Sequence, residues 1–338
     1  MKPISPQELD KFVTKHHPEA NFLQSSSWGK VYELIGDKVH YLGFYDQDQL
    51  VGTAVAIVKP AKRGRYLEIP GGPLLDWQKP RQLQTAFADL KTLATQENCV
   101  FIRIRPQIIA NQSAGQTSGH LCKSLKLQPS PMHLHAEHTV IIDLTKTRDQ
   151  LLTDMRRQTR YEVRRATKLG IKVTHSSDQS AFKEFYQAQL ATAKRQNFIP
   201  SSEDFILAQH EAFGDKAKIY RAEQDGKPLA YGLIIMQAPE AIYHEAASTP
   251  AGHRLPGAYA IQWQVIQDAK SAKFQRYNLF GIAPPNTPHH RYAGVTLFKT
   301  GFGGEEVNYI PAHDLVVDPL KYQFTKLIEI ARKRKRHL

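Results

Sequence analysis

The chain has 338 residues, of which 41% are hydrophobic and 23% charged, a composition typical of a soluble globular protein with two domains of ordinary size. This composition excludes a largely disordered chain, and the presence of only two cysteines excludes a disulfide framework or a cysteine-based zinc site. The formal net charge of +13 favours a polyanionic partner, such as nucleic acid, nucleotide phosphates or an anionic membrane, over a protein that is merely basic.

The first half of the chain predicts a mixture of helices and strands. Ser5 to Glu8 form a capping box that begins a helix through about Lys15, and "SSSWGKVYELIG" predicts a second, serine-capped helix. The alternating stretches "HYLGFYD" and "LVGTAVAIVKP" predict a hairpin that turns at Gln47-Asp48-Gln49. The strands "GRYLEIPGG" and "CVFIRIRPQ" flank the helix "PRQLQTAFADLKTLATQ", and the strand "HTVIIDLT" follows them.

The second half repeats this order of elements. A helix that ends at Gly170 is followed by a strand, two helices and a hairpin that turns at Asp225-Gly226. The strand "AIYHEAAS", the helix "AYAIQWQVIQDAKSA" and the strand "RYNLFGI" complete the set. The repeat indicates an internal duplication of a mixed α/β unit, in which helices combine with a sheet of mixed strand direction (α+β). Its order resembles the GNAT acyltransferase fold, in which an antiparallel hairpin leads into a sheet that opens over the acyl-transfer site.

Residues 147–169 predict a strongly basic helix. The apolar or small residues that share one face, and that we expect to pack on a core, are Leu152, Met155, Thr159, Val163 and Ala166. The cations that form a row on the opposite face are Arg157, Arg160, Arg164 and Lys168. Such a row either contacts phosphates, as in RNA binding, or is solvated and paired with surface carboxylates, and the sequence leaves both interpretations open.

The last predicted element, "KYQFTKLIEIARKRKRHL", begins as an amphipathic segment and ends with five consecutive cations, Arg332 to Arg336. A solvated charge run is the favoured interpretation, and contact with a polyanion or a membrane is the alternative. No apolar signal segment and no apolar run of membrane-spanning length occurs in the sequence. We therefore expect a protein of the cytoplasm, and a peripheral contact with the inner membrane face remains open.

Motifs of covalent catalysis and cofactor binding do not occur in the sequence. "GFGG" lacks the spacing of a phosphate loop, and neither a nucleophile elbow nor a dinucleotide fingerprint is found. His133 and His135 would share one strand face as a metal pair, but His138 has the wrong parity for a third ligand, so surface or edge histidines are favoured. We expect no cofactor and no metal, and an enzyme whose substrate arrives already activated.

Several segments resemble the Fem (FemABX) family of aminoacyltransferases, which build peptidoglycan cross-bridges. The segments that carry the resemblance are "QSSSWGKV", "YLEIPGGPLLD", "FIRIRP", "TRYEVRRATKLGIKV", "PGAYAIQWQVI", "YNLFGI" and "LFKTGFGGE". They span nearly the whole chain and suggest a compact member without a coiled-coil arm. The resemblance implies two tandem GNAT-like domains: residues 1–144 with 315–338 on the acceptor side, the C-terminal segment returning to the first domain, and residues 145–314 on the aminoacyl-tRNA side.

The resemblance also implies a reaction. An amine of a peptidoglycan-precursor stem peptide, carried on UDP or on a lipid, attacks the ester carbonyl of an aminoacyl-tRNA. An activated ester needs no protein nucleophile, but a cation or hydrogen-bond donor at the oxyanion lowers the barrier. The residues that match the family's motifs are Lys299 and Phe298 for catalysis, with Lys299 reaching either the reacting ester or the terminal ribose and phosphate of the tRNA, and Lys30, Trp28 and Tyr259 for acceptor binding. Arg105 is assigned to acceptor binding at a position where it departs from the family, and the basic row, Arg157, Arg160, Arg164 and Lys168, is assigned to tRNA.

Three departures from the family pattern leave the acceptor open. Arg105 stands where relatives often carry an acidic residue, Asn278 replaces the aspartate of a Tyr-Asp-x-Gly-Gly motif, and "RQNFIPSS" lacks the arginine that compact members place on a diphosphate. For Lys299 the alternative is a strand lysine that extends to the surface. Two other functions are an acyl-CoA-dependent GNAT N-acyltransferase, disfavoured because no glycine-rich pyrophosphate turn is found, and a non-catalytic RNA-binding protein.

Overall fold

The computed structural model describes residues 1–61, 64–110, 122–133 and 135–335, so Arg336 of the cationic run lies outside the described residues. These residues form two compact units, unit 1 (Met1–His138 and Asn308–Leu338) and unit 2 (Thr139–Val307). The boundaries differ from residues 144 and 315 expected from the sequence. The strand His138–Asp143 pairs with Arg276–Asn278 in the sheet of unit 2, whereas His313 and Asp314 pair with Ile104 and Arg103 in unit 1.

The helices and strands follow one another through both units. The strands are β1 (Lys2–Pro3), β2 (Lys38–Asp46), β3 (Gln49–Lys59), β4 (Arg65–Gly71), β5 (Cys99–Pro106), β6 (Leu127–Pro129), β7 (His138–Asp143), β8 (Lys172–Ser176), β9 (Ala217–Gln224), β10 (Lys227–Gln237), β11 (Glu240–Ser248), β12 (Arg276–Asn278), β13 (Glu305–Asn308) and β14 (His313–Val316). The helices are α1 (Pro6–His16), α2 (Ser26–Leu34), α3 (Pro80–Gln96), α4 (Arg148–Asp154), α5 (Arg157–Lys168), α6 (Gln179–Gln196), α7 (Glu203–Phe213), α8 (Gly257–Ser271), α9 (Ala293–Thr300) and α10 (Pro319–Lys335).

Unit 1 contains a mixed sheet. Within the described residues its strand order is β1-β2-β3-β4-β5-β14-β6, and β4 runs parallel to β5 while the other neighbours are antiparallel. Helix α3 makes the crossover between the two parallel strands, and its apolar positions Leu83, Phe87 and Leu90 are buried as the helical spacing predicts. The C-terminal segment supplies β14, which lies between β5 and β6.

Unit 2 has the same plan in a separate sheet. The described strands are ordered β13-β7-β12-β11-β10-β9-β8, with β11 parallel to β12 and helix α8 as the crossover. Each sheet contains a hairpin, β2–β3 in unit 1 and β9–β10 in unit 2. Both hairpin turns use left-handed backbone, with φ 55° at Gln47 and 50° at Asp225. The predicted duplication is therefore present in the fold.

Local structure corrects the sequence-based elements at three places. The helix predicted over residues 147–169 is two helices, because Met155 has an extended backbone with φ −65° and ψ 143°. The predicted strand "RYNLFGI" ends at Asn278, because Phe280 has a left-handed φ of 57°. The segment around Lys299 is helix α9 rather than a strand. No helix in the described part of the chain combines the length and the apolarity needed to cross a bilayer.

Candidate active site

Lys299 lies in the last turn of α9, and its side chain is directed into unit 2. The residue is only 8% exposed. Its Nζ donates a 2.8 Å hydrogen bond to the carbonyl oxygen of Gly281 and lies 5.5 Å from the ring centroid of Tyr243. Helix α9 is fixed to the same segment, because Thr296 Oγ1 accepts a 2.8 Å hydrogen bond from the backbone N–H of Ala283. Lys299 is thus neither on a strand nor extended to the surface.

The surroundings of Lys299 disfavour its ammonium form. Burial lowers the pKa of Lys299 from its usual 10.5 to about 7, and no carboxylate among the described residues offsets that effect. Tyr243 supplies an aromatic face but no negative charge, since burial raises the pKa of its phenol. A buried amine that lacks a counter-charge gains stability when an anion is placed beside it.

An aromatic cluster lies beside this lysine. Phe298 precedes Lys299 on α9, and its ring packs edge-on against Phe302 with a centroid distance of 5.2 Å. Tyr259, on the first turn of α8, packs edge-on against Phe298 at 5.0 Å. Burial raises the pKa of the Tyr259 phenol, so its hydroxyl stays protonated at neutral pH and can donate a hydrogen bond. The structure therefore brings three of the candidate residues, Lys299, Phe298 and Tyr259, into one region.

The basic row lies on α5, next to the same region. The inner face of α5 is buried as predicted, with Thr159, Val163 and Ala166 each at most 5% exposed. Gly301, just after α9, approaches this face so closely that an added Cβ atom would lie 2.3 Å from Thr159 Oγ1. Arg156, at the start of α5, donates a 2.6 Å hydrogen bond from Nη2 to the carbonyl of Leu297 on α9.

The four cations of the row are not equivalent. Arg157, Arg164 and Lys168 are exposed, whereas Arg160 is half-buried. Nη1 of Arg160 donates to the carbonyls of Thr153 and Met155 at 2.7 and 2.9 Å, at the end of α4. Arg160 therefore supplies hydrogen-bond donors to carbonyls at the end of α4 that would otherwise lack partners. These contacts stabilise the interruption between helices α4 and α5. Of the four cations of the predicted row, three are therefore exposed on α5.

The two acceptor candidates on α2 differ in exposure. The Trp28 side chain is buried, packing edge-on against Phe22 at 5.0 Å and against Tyr32 at 5.3 Å. Lys30 is exposed on the same helix, with an ion pair of 3.6 Å to Glu33 as its described contact. Trp28 thus anchors the helix to the core, and Lys30 is presented to solvent where an anionic group can reach it.

Arg105 is the second buried cation of interest. It lies on β5 with no solvent exposure, and its guanidinium carbon is 5.3 Å from the ring centroid of Tyr309. Burial lowers the pKa of Arg105, while the nearby Tyr309 and Glu137 oppose that change. Nε and Nη1 have no hydrogen-bond partner within the described residues. Because a buried guanidinium rarely stays unpaired, this side chain is a candidate for binding an anionic group.

The histidine cluster does not form a metal site in the described residues. His133 pairs with Glu137 at 2.8 Å, and His138 Nδ1 lies 2.7 Å from Asn308 Oδ1. His135 lies 3.7 Å from Glu68. Only His138 lies on a strand, and no group of three or more metal-ligating side chains occurs in the part of the chain that the structure describes.

The groups that surround Lys299 and Arg105 could not be predicted from the sequence. Tyr243 and the carbonyl of Gly281 hold Lys299, while Glu137 and Tyr309 surround Arg105. A backbone carbonyl leaves no signature in a sequence, and Tyr243 lies on strand β11, far from Lys299 along the chain, so only the fold brings them together. Two cavities, of about 500 Å³ in unit 1 and about 420 Å³ in unit 2, are lined by other residues and play no part in these sites.

The duplicated sheet, with one parallel strand pair per copy, defines a tandem acyltransferase fold of the GNAT type. A solved tandem GNAT protein from the clavulanic acid biosynthesis pathway has a TM-score of 0.57 at 11% identity, covering 93% of this chain and 97% of that one. The crystal structure of FemX gives a TM-score of 0.84 at 18% identity, covering 97% of this chain and 100% of that one.

Sequence comparison narrows this class to a family. The FemAB family model matches residues 4–227 and 220–330, so the chain belongs to the FemAB family. It is 20% identical to the aminoacyltransferase FemA of Staphylococcus aureus, over 91% of this chain and 93% of that protein. It is 26% identical to the lipid II:glycine glycyltransferase of Staphylococcus epidermidis, over 67% of this chain and 56% of that protein. The resemblance drawn from the sequence is confirmed.

Proposed function

We propose that this protein is an aminoacyltransferase that moves an amino acid from aminoacyl-tRNA to an amine of a peptidoglycan-precursor stem peptide. The acceptor amine attacks the ester carbonyl, an amide bond forms, and the ester bond to the tRNA ribose breaks with the proton passing to the ribose oxygen. Membership of the FemAB family and the names of its relatives support this reaction class. The observation that carries the proposal is the buried Lys299 without a counter-charge.

Lys299 acts in this proposal at the tetrahedral intermediate. Before the reaction its amine is held by the carbonyl of Gly281 and by no carboxylate among the described residues. The oxyanion of the intermediate supplies the missing negative charge and raises the pKa of Lys299, which takes up the proton that the acceptor amine loses and passes it to the ribose oxygen as the ester bond breaks. The interaction is therefore stronger in the transition state than in the resting enzyme, which is the condition for catalysis.

Arg105 binds an anionic group of the acceptor in this proposal. A stem peptide carries carboxylates as well as the reacting amine, and Nε and Nη1 of Arg105 lack partners among the described residues. A carboxylate would satisfy those donors through charge-assisted hydrogen bonds. Arg105 stands where relatives often carry an acidic residue. In this proposal the acceptor of this protein therefore carries a negative charge at a place where the acceptors of those relatives do not.

The remaining candidates have positioning roles in the proposal. Lys30, with its exposed ammonium, contacts the phosphates that carry the acceptor, and Trp28 fixes the helix from which it extends. Phe298 and Tyr259 form the apolar wall beside Lys299 and keep water from the ester. Arg157, Arg164 and Lys168 contact the phosphates of tRNA.

A donor-choice experiment tests the reaction class. The protein is incubated with a stem-peptide acceptor, as UDP-linked and as lipid-linked forms, and with either a mixture of aminoacyl-tRNAs or acetyl-CoA. We expect a mass increase of one amino-acid residue on the acceptor with aminoacyl-tRNA only. An increase with acetyl-CoA alone identifies an acyl-CoA-dependent N-acyltransferase instead. Binding of tRNA without any modified acceptor would support a non-catalytic RNA-binding protein.

A further inference from the structure

The C-terminal helix α10 is anchored to unit 1 through one face. Tyr322 is 1% exposed and donates a 3.0 Å hydrogen bond to Asp314. Arg103 of β5 joins the helix to the sheet, with 2.7 Å contacts from Nε to Asp314 and from Nη2 to Glu329. Tyr322 and Glu329 are seven residues apart and therefore lie on the same side of the helix. This face is closed by a buried charge network.

The opposite face of α10 carries three exposed apolar side chains. Leu320 is 87% exposed, Phe324 61% and Leu327 66%, which makes them among the most exposed large hydrophobic residues of the protein. Their spacing of four and three residues places them within about 60° of one another and roughly opposite Tyr322 and Glu329. We call these three residues the outer stripe. A contiguous exposed stripe on a fixed helix, unlike single exposed side chains, marks an interaction surface.

The charge of the helix indicates which partner fits the outer stripe. The cations within α10 are Lys321, Lys326, Arg332, Lys333, Arg334 and Lys335, and its one acidic residue is Glu329. That carboxylate is already paired with Arg103 on the inner face, so it does not offset the positive charge. Lys321 and Arg332 are exposed, Lys321 with a 3.1 Å ion pair to Asp318, whereas Lys326 is directed to Gln128 on the inner face. A helix with an apolar stripe and an excess of cations has the composition of a segment that lies in the interface of an anionic membrane.

We infer that the outer stripe of α10 docks on an anionic lipid surface, with Leu320, Phe324 and Leu327 in the acyl boundary and the exposed cations Lys321 and Arg332 at the headgroups. RNA would account for the cations but not for three exposed apolar side chains in register. A second copy of this chain would bring two cationic helices together, which like-charge repulsion disfavours. Docking holds the protein at a bilayer without a spanning segment, and it is independent of the proposed acyl transfer.

Vesicle co-sedimentation with the full chain tests this inference without any substrate. Vesicles of phosphatidylcholine alone are compared with vesicles that contain phosphatidylglycerol as well. The test variant is Leu320→Ser/Phe324→Ser/Leu327→Ser, whose three positions are exposed, so folding is retained. The matched control is Ile199→Ser, which removes a 78% exposed side chain that belongs to no stripe.

We expect the wild type and Ile199→Ser to bind anionic vesicles equally, and the triple variant to bind at least about tenfold more weakly. Binding should also weaken as salt is raised from 50 to 300 mM, since headgroup contacts are screened. Equal vesicle binding by the triple variant and the wild type would overturn the inference. It would also be overturned if the triple variant lost self-association or RNA binding while its vesicle binding stayed unchanged. Because no acyl transfer is measured, such a failure leaves the proposed reaction untouched.

Discussion

Replacing Lys299 with methionine should stabilise the protein while strongly lowering its transfer rate. The substitution keeps an unbranched side chain of similar length but removes the buried amine. At 1.36 kcal/mol per pH unit, the separation between the usual pKa of 10.5 and the folded pKa of about 7 corresponds to about 5 kcal/mol. Loss of the hydrogen bond to the Gly281 carbonyl offsets about 1 kcal/mol of this gain.

The gain depends on pH in a direction that the two pKa values fix. The unfolded chain binds a proton on this amine below about pH 10.5, whereas the folded chain binds it only below about pH 7. Unfolding therefore takes up a proton between these values, and the free energy of unfolding of the wild type rises with pH across that window. Lys299→Met should be more stable than the wild type by about 4 kcal/mol at pH 6, about 2 kcal/mol at pH 8 and about 0 at pH 10.

Urea unfolding at these three pH values measures the difference. The matched control is Lys270→Met, because Lys270 is a partly buried lysine of the same unit that donates a 3.0 Å hydrogen bond to the carbonyl of Leu144. The control should lose stability rather than gain it, since it removes a satisfied hydrogen bond without relieving a buried charge. A Lys299→Met protein that is no more stable than the wild type at pH 6, or whose advantage does not change with pH, would refute the reasoning.

Four further predictions concern other side chains and a glycine of the two units. Arg103→Met should destabilise the protein by about 3–5 kcal/mol in urea unfolding, because it leaves the buried Asp314 and the partly buried Glu329 without their cation. Arg105→Met, on the same strand, should cost no stability but raise the acceptor KM at least about tenfold. Equal losses of stability for the two variants would contradict the view that, among the described residues, Arg103 is ion-paired and Arg105 is not. Gly301→Ala should cost about 1–3 kcal/mol and lower the transfer rate, because its Cβ would meet Thr159, whereas Gly294→Ala, with open space around it, should change neither. Arg164→Ala should weaken tRNA binding in a filter assay with unchanged stability, whereas Arg160→Ala should lower stability by about 1 kcal/mol through the lost helix-end contacts.

Local patterns predicted the elements whose causes are local. The capping box at Ser5 and Glu8 is present, with both reciprocal hydrogen bonds formed, and α1 begins where it indicates. The two hairpins turn at the predicted residues because left-handed turn residues separate alternating strands. The order of these elements was sufficient to predict the duplication and the fold class.

Features that depend on distant contacts could not be predicted in the same way. The break between α4 and α5 depends on a guanidinium that binds carbonyls five to eight residues earlier, which a helical-wheel count treats as part of an exposed row. The segment around Lys299 has no other charged residue whose spacing would show which face is exposed, so its sequence does not distinguish a strand from a helix. The helix is fixed by contacts to Gly281 and Ala283. The boundary near residue 138 depends on which sheet β7 joins, and the sequence of a strand does not determine which strand it pairs with.

The reaction itself gives the most direct test of the account. Single-turnover transfer of a labelled amino acid from tRNA to the stem peptide should be compared for wild type, Lys299→Met and Lys270→Met at pH 7.5. Removal of one oxyanion-stabilising group predicts a rate at least about a hundredfold lower for Lys299→Met, with Lys270→Met within about twofold of the wild type. A Lys299→Met enzyme that transfers the amino acid at close to the wild-type rate would contradict the central role of this buried amine.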